Sequence, residues 1–322
     1  MARRSLGPAT LAVVRCVEEA LAEDGLSGAS SGALLVACSG GADSLALAAA
    51  TAQVSRRRSG STSAVVVDHG LQAGSAETAA RAHDQLVDLG FDDVLVSRVT
   101  VEMHSGRGPE AAARHSRYAL LDAEATRRDA TVLLGHTLDD QAETVLLGLA
   151  RGSGTRSLAG MAVRSGRYLR PLLAVRRATT EGACAELGLQ PWRDPHNADE
   201  AYARSRVRSR VLPLLEAELG PGVAEALSRT ARLARDDADL LDALAADAVP
   251  AADTLDCAQL GDLPAALRRR VIRRWLIASG ASEVTYHHVL RVEELVLRWH
   301  GQSTADLAGV QVSRVDGRLI CH

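Results

Sequence analysis

Apolar residues recur at helical intervals over residues 6–24, a pattern that stops near Gly25. After the loop GLSGASSG (25–32), the run Ala33–Cys38 (ALLVAC) is apolar without alternation, as in a parallel strand buried on both faces. A helical pattern then extends to about Arg57. The same succession repeats: strand 64–67 and helix 75–89, strand 93–99 and helix 109–128, strand 131–135 and helix 138–150. Four strand–helix units with short connections predict an α/β fold, a doubly wound parallel sheet covered by helices on both faces. In such folds ligands sit outside the carboxyl ends of the strands.

Beyond residue 150 the pattern weakens. Residues 151–166 read as a Gly-, Ser- and Arg-rich loop, 167–190 as one more strand–helix pair, and Trp192–Glu200 as a polar loop. Helices are expected at 205–219, 222–247, 264–279 and 285–299, followed by two short alternating runs at 303–308 and 310–320. This divides the chain into a first domain, 1–215, and a smaller, partly helical C-terminal domain, 216–322.

Composition narrows the chemistry. All 37 basic residues are Arg, so a GxxxxGK[ST] phosphate loop and lysine-nucleophile or Schiff-base chemistry are excluded. Aromatics are 2%, which argues against base stacking on repeated aromatic platforms. The formal charge of −3 divides unevenly: −6 over residues 1–150, +7 over 151–235 and −4 over 236–322. A basic middle segment suits a polyanionic partner or a solvated surface. Cys16, Cys38, Cys184, Cys257 and Cys321 form no CxxC pair, so zinc knuckles and dithiol chemistry lack support and the thiols read as buried and inert. No secretory signal and no long apolar span are evident, which predicts a cytoplasmic protein with no membrane partner.

Three strand ends carry candidate chemistry. The first strand runs directly into Ser39-Gly40-Gly41-Ala42-Asp43-Ser44, where glycines admit a tight turn and a helix N-terminus offers unpaired N–H donors to an anion. An ordinary Gly/Ser turn capped by Asp43 or Ser44 is the alternative. The second strand ends in Asp68 and His69, near the expected ligand or simply in a turn. The fourth ends in Gly135-His136-Thr137-Leu138-Asp139-Asp140-Gln141-Ala142-Glu143-Thr144. Asp140 and Glu143 are three apart and share a helix face. Acids in a first helical turn are common, yet carboxylates beside a phosphate loop also suit Mg²⁺.

The SGGADS hexapeptide resembles the pyrophosphate-binding loop of the N-type ATP pyrophosphatases. A narrower resemblance rests on several segments in order: GHTLDDQAET, Arg151-Gly152-Ser153-Gly154, Leu158-Ala159-Gly160-Met161, Glu110–Tyr118 (E-x-x-A-R-x-x-R-Y), Arg170-Pro171-Leu172-Leu173 and Arg204–Arg208 followed by Leu212-Pro213. Together they are similar to the tRNA(Ile)-lysidine synthases over roughly residues 33–215. Ser205 stands where the family usually has Asn, and His196 replaces a hydroxyl residue.

The resemblance implies an adenine nucleotide alpha hydrolase-like fold. It also implies an ATP-dependent ligase that joins L-lysine to C2 of the wobble cytidine in CAU-anticodon tRNA(Ile), through an adenylated cytosine. ATP would lie on Ser39, Gly40, Gly41, Ala42, Asp43 and Ser44, with Asp68, His69 and His136 nearby. Mg²⁺ would lie on Asp43 and Asp140. Asp43, Asp140, Glu143 and Arg114 would be catalytic, Asp140 or Glu143 taking the amine's proton. Arg114 and Arg117 would meet the α-phosphate or the substrate carboxylate. Arg151, Arg204, Arg206 and Arg208 would bind tRNA, and Arg268, Arg269, Arg270, Arg273 and Arg274 form a tail cluster for a second tRNA region or a solvated face. A homodimer is compatible with this reading. The rivals are a tRNA thiolase, an amidating synthetase of the same superfamily, and a nucleotide-binding module without catalysis.

Overall fold

A computed structural model of the chain describes residues 6–26, 32–58, 60–68, 74–99, 109–152, 154–194, 199–249, 251–282, 284–301 and 304–322. The chain divides into two compact units. The first comprises the residues up to Leu147 together with Met161–Ser228, and the second Gly148–Gly160 with Arg229–His322. The division thus falls later than the boundary drawn at 215, and a short internal segment goes with the second unit.

In the first unit, helix α1 (Pro8–Glu23) precedes β1 (Ala33–Cys38), α2 (Ala42–Ser55), β2 (Thr62–Asp68), α3 (Ser75–Leu89), β3 (Asp93–Arg98), α4 (Pro109–Arg128), β4 (Ala130–Leu134) and α5 (Leu138–Ala150). These match the pattern read from the sequence to within a few residues. The short α6 (Thr155–Leu158) belongs to the second unit; the first resumes with β5 (Arg164–Ser165), β6 (Tyr168–Leu169) and α7 (Arg177–Leu187). The sheet order is β3-β2-β1-β4-β6-β5, parallel except for the β5–β6 pair. The doubly wound parallel sheet expected from the sequence is therefore present.

Alternation along β1 explains its unbroken apolar run. Leu34 and Val36 join the larger core with Leu45, Leu47, Leu86 and Leu133, whereas Leu35 packs on the other face with Val65, Leu121 and Val132. Helix α1 lies against α7, and Glu186 of α7 accepts hydrogen bonds from the Ala9 N–H (3.0 Å), the Thr10 N–H (2.8 Å) and the Thr10 hydroxyl (2.7 Å). A distant carboxylate thus does the work of an N-cap that Gly7 cannot supply.

The segment read as one helix over 205–219 is three pieces: α8 (Ala203–Arg206), a π-helical turn over Val207–Val211, and α9 (Leu212–Leu219). The long α10 (Val223–Ala248) follows. The second unit continues with β7 (Thr254–Asp256), α11 (Cys257–Asp262), α12 (Ala265–Ala278), α13 (Tyr286–Leu297), β8 (Thr304–Leu307), β9 (Val310–Val315) and β10 (Arg318–Cys321). Its four strands form an antiparallel sheet, β7-β10-β9-β8, around Ile272, Trp275, Leu276, Val292 and Leu319.

The alternating run at 310–320 is a hairpin of two strands. Asp316 (φ 48°) and Gly317 (φ 76°) provide the two positive-φ positions that a tight two-residue hairpin turn requires. Short β7 and α11 were not apparent in the sequence.

Most of the tail arginines serve this unit internally. Arg268 and Arg269 both donate to the buried Glu293 (2.8 and 2.9 Å), Arg270 to Asp242 (2.9 Å), and Arg274 to the Val249 carbonyl. Arg273 is exposed on α12. Of the cysteines, Cys38, Cys184 and Cys257 are buried and Cys16 and Cys321 are half-buried, all free. Among the described residues, no helix is long and apolar enough to cross a membrane.

Candidate active site

Strands β1 and β4 are parallel neighbours, with Ala37 paired to Leu134. The chain leaves them in opposite directions across the sheet, toward β2 from one and toward β6 from the other. This is the reversal of strand order at which open α/β sheets form a ligand crevice. The Ser39–Ser44 turn and the Gly135–Glu143 turn therefore lie side by side at the same carboxyl edge.

The first turn is held by its own polar groups. Gly40 takes φ 79°, a conformation that favours glycine. The Ser39 N–H donates to Ser44 Oγ (3.1 Å), and that hydroxyl donates to the Gly41 carbonyl (2.9 Å). The Trp192 N–H donates to the Gly40 carbonyl (2.8 Å). Gly41 is the N-cap of α2 with no side-chain cap, so neither Asp43 nor Ser44 occupies the capping role that an ordinary turn would give it. The N-terminal amides of α2 and their dipole stay available to an anion.

Asp43 points from this turn toward the acids of α5. Its carboxylate accepts from Arg177 Nε (3.2 Å) and from the Thr180 hydroxyl, both on α7. Asp140 Oδ2 accepts from the Thr137 N–H and hydroxyl (both 2.9 Å), and its Oδ1 accepts from Arg177 (2.8 Å), Arg204 (3.2 Å) and Arg208 (3.3 Å). The Glu143 side chain is 0% exposed and accepts from Arg204 Nε (2.7 Å) and Arg208 Nε (2.7 Å), with Arg177 Nη1 at 3.5 Å. Three carboxylates and three guanidinia thus form one ion cluster.

Burial and charge act oppositely within it. Burial alone would raise Asp140, but Arg177 and Arg204, with the Thr137 N–H, hold its carboxyl below the usual carboxylate range. For Asp43 burial prevails over Arg177 and Thr180, and its carboxyl is raised. Arg177 is held firmly charged: burial opposes its charge, but Asp140, Asp43 and Glu143 outweigh it.

Asp139 plays a different part from its neighbours. It accepts from Arg176 Nη1 (3.1 Å) and from the Arg177 N–H (2.7 Å), and so anchors the first turn of α7 beside the site. A pocket of about 150 Å³ adjoins the cluster; Glu143, Arg177, Arg208, Leu212, Pro213 and Ala224 are among its walls. It combines a carboxylate, guanidinia and an aliphatic side.

A second basic group lies near the end of β4. His136 Nδ1, Arg117 Nε and Arg170 Nε are buried without a hydrogen-bond partner among the described residues. Burial, reinforced by Arg170, Arg117 and Arg204, pushes the His136 imidazole down to about 3, so it is neutral at physiological pH. Burial likewise lowers Arg117. Arg114 is exposed and lies over the Tyr118 ring, 4.8 Å from its centroid.

The remaining candidates are dispersed. Asp68 is buried at the end of β2, and His69 lies outside the described residues, as does His196. Arg204 and Arg208 face the acids, whereas Arg151 and Arg206 are exposed. Arg206 donates to the carbonyls of Glu200 (2.6 Å) and Ala201 (2.8 Å).

Arg177 and Thr180 were missed by the sequence reading. The available signal was position: Arg177 opens a helix a few residues after the Arg170-Pro171-Leu172-Leu173 segment, at a strand's carboxyl end.

The same contacts bear on magnesium. Each carboxylate oxygen of Asp43 and Asp140 already accepts from an Arg or Thr donor, and the Arg177 guanidinium stands where an ion bridging the two would stand. Among the described residues, no three His, Cys, Asp or Glu side chains converge as metal ligands. As arranged, the pair does not fit a divalent ion.

Comparison with known proteins agrees along most of the chain. Residues 11–215 match the PP-loop domain family, and residues 255–320 match the TilS substrate binding domain. The chain is 55% identical over 295 residues to the tRNA(Ile)-lysidine synthase of Thermobifida fusca, covering 89% of this chain and 90% of that one. It is 53% identical to the Leifsonia xyli protein of the same name (90% and 89% covered) and 52% identical to that of Mycobacterium tuberculosis (83% and 82%). Among solved structures, a U34-tRNA thiolase from Methanococcus maripaludis superposes with a TM-score of 0.58 at 18% identity, covering 70% of this chain and 80% of that one. That likeness concerns the fold alone.

Proposed function

The chain belongs to the tRNA(Ile)-lysidine synthase family, and we propose how its site carries out that family's reaction. It is an ATP-using ligase that joins lysine to tRNA(Ile). We assign the acceptor to C2 of the wobble cytidine in the CAU-anticodon tRNA, the amine to free L-lysine, and the compartment to the cytoplasm.

The phosphates of ATP lie against the Ser39–Ser44 turn and the N-terminus of α2, where amide donors and the helix dipole favour negative charge. The C2 oxygen of cytosine attacks the α-phosphorus, the bond to the β-phosphate oxygen breaks, and pyrophosphate leaves. Fixed donors that strengthen as charge develops stabilise this step more than they stabilise bound ATP. Arg114 and Arg117 are the cations proposed for the α-phosphate or for lysine's carboxylate.

The ε-ammonium of lysine ordinarily has a pKa of about 10.4 and must lose a proton before it attacks. Asp140 and Glu143 bind that cation, and one of them accepts its proton. The free amine then forms the bond to C2, and AMP departs with the C2 oxygen. His136, neutral and buried, does not shuttle this proton.

Because Asp43 and Asp140 are already engaged, no step is routed through a metal held by that pair. Magnesium bound to the nucleotide would supply charge compensation at its phosphates.

The observation that carries this reading is the adjacency of the glycine turn of β1 and the Asp140–Glu143 face at the reversal between β1 and β4. It is tested by AMP release from ATP. Release that needs the CAU-anticodon tRNA(Ile), with lysidine formed only on adding L-lysine, is expected. AMP release independent of both would overturn it. The thiolase alternative has only fold-level likeness to support it.

A further inference from the structure

The ion cluster is balanced before any substrate arrives. Asp43, Asp140 and Glu143 face Arg177, Arg204 and Arg208, and Glu143 is sealed from solvent. Adding an alkylammonium ion to Asp140 and Glu143 leaves one positive charge in excess in a poorly solvated site, which is costly unless a guanidinium moves out.

The three arginines are not equivalent. Arg204 and Arg208 reach only the α5 acids among the described ion pairs. Arg177 also reaches Asp43, inside the turn that receives the nucleotide. Its backbone N–H is tied to Asp139, and its side chain is 21% exposed, so the guanidinium has room to turn while the backbone stays fixed. It also walls the pocket that leads to Glu143.

We propose that Arg177 is a resident counter-ion that couples the two substrates: a nucleotide triphosphate at the Ser39–Ser44 turn draws its guanidinium off Asp140 Oδ1, where it is the closest of three donors (2.8 Å), and this removes one positive charge beside Asp140 and Glu143 so that the lysine ammonium can take its place, Arg204 and Arg208 staying on the acids. Arg177 is thereby a positioning residue that makes amine binding depend on nucleotide binding. The inference rests on the assignment of Asp140 and Glu143 as the amine site.

Linkage makes the coupling measurable and reciprocal: each ligand must raise the other's affinity by the same factor, about 5- to 150-fold for couplings of ordinary size. The experiment is calorimetric titration of L-lysine into the full chain, with and without α,β-methylene ATP, which cannot be cleaved at the reacting bond. The wild type is expected to bind lysine at least about fivefold more tightly with the analogue. Arg177→Met is expected to bind lysine without nucleotide about as tightly as the loaded wild type, so that the ratio falls to near one. Arg177→Lys, which keeps a cation, is expected to retain a ratio above that of Arg177→Met. This second variant also guards against misfolding of the first.

A wild-type ratio of one overturns the proposal. So does an Arg177→Met ratio equal to that of the wild type, or an Arg177→Lys ratio equal to that of Arg177→Met. Glu143→Gln separates the two failures. If it abolishes lysine binding while Arg177→Met keeps the coupling, only the role of Arg177 falls; if it leaves lysine binding unchanged, the amine-site assignment falls as well.

Discussion

Gly135 lies so close beneath Asp43 that a Cβ on it would stand 2.9 Å from the Asp43 carbonyl oxygen and 3.1 Å from Ser44 Cα. The neighbours are backbone atoms at the start of α2, which cannot swing aside as a flexible side chain can. The glycine at the end of β4 thereby allows the phosphate turn of β1 to approach the acid-bearing turn.

Gly135→Ala is accordingly expected to push the start of α2 away from β4. Overpacking of this kind costs about 1–3 kcal/mol, read as a lower urea midpoint at unchanged slope. Nucleotide affinity is expected to fall with it, because the displaced residues carry the phosphate turn. An unchanged midpoint together with unchanged nucleotide affinity would show that the close approach is not needed.

The parts legible in the sequence are those fixed by local chemistry. The unbroken apolar run of β1 announces burial on both faces, and the Gly/Ser turn and the acid pair sit where strands end. Arg204 and Arg208 were legible as part of a basic segment suited to tRNA, and Arg177 was not singled out. That three guanidinia turn inward on three carboxylates depends on contacts 134, 61 and 65 residues apart along the chain, and no periodicity reports such distances. The Asp316-Gly317 turn carried a local signal that the alternation around it concealed. The tail arginines read as a cationic face, but Glu293 and Asp242, which hold three of them, lie too far away in sequence to be paired by inspection.

Glu143 is the sole fully buried acid of the three-carboxylate cluster and holds both Arg204 and Arg208 at 2.7 Å. Glu143→Gln leaves two guanidinia without that counter-charge. Losing a partner of a buried hydrogen-bonded group costs about 1–3 kcal/mol. The lower part of that range applies here, since the two Arg side chains are 35% and 29% exposed and water screens them. Adding Arg208→Met is expected to restore part of the stability, because the two sites share one network. Lysidine formation stays lost in both variants. Denaturant titration of the single and double variants reads the coupling, and strictly additive losses would contradict it.

His136 sets a pH signature. Its folded-state pKa, about 3, lies below the unfolded value of about 6.5. The folded protein therefore binds fewer protons at this site over that interval. The contribution to stability is complete above pH of about 6.5 and is lost progressively as pH falls toward 3. His136→Gln has no such proton to take up, so its unfolding free energy is expected to decline less between pH values of about 6.5 and 5 than that of the wild type. Parallel declines in thermal or urea unfolding over that window would show that the imidazole is not kept neutral by burial.

The arginines proposed to contact tRNA divide by orientation, and salt dependence separates them. Each phosphate contact adds about 0.9 to the slope of log affinity against log salt on a duplex, and about 0.7 on a single strand. Arg151 and Arg206 are exposed, and among the described residues Arg206 donates to carbonyls and forms no ion pair. Arg208 is instead neutralised by Asp140 and Glu143. Arg151→Ala and Arg206→Ala are each expected to weaken tRNA binding and lower the slope by about one. Arg208→Ala is expected to leave the slope unchanged while lysidine formation falls. Filter binding of the CAU-anticodon tRNA across a salt series checks all three. A slope lowered by Arg208→Ala would mean that tRNA draws this guanidinium out of the acid cluster, and the inward arginines would then belong to the nucleic-acid interface after all.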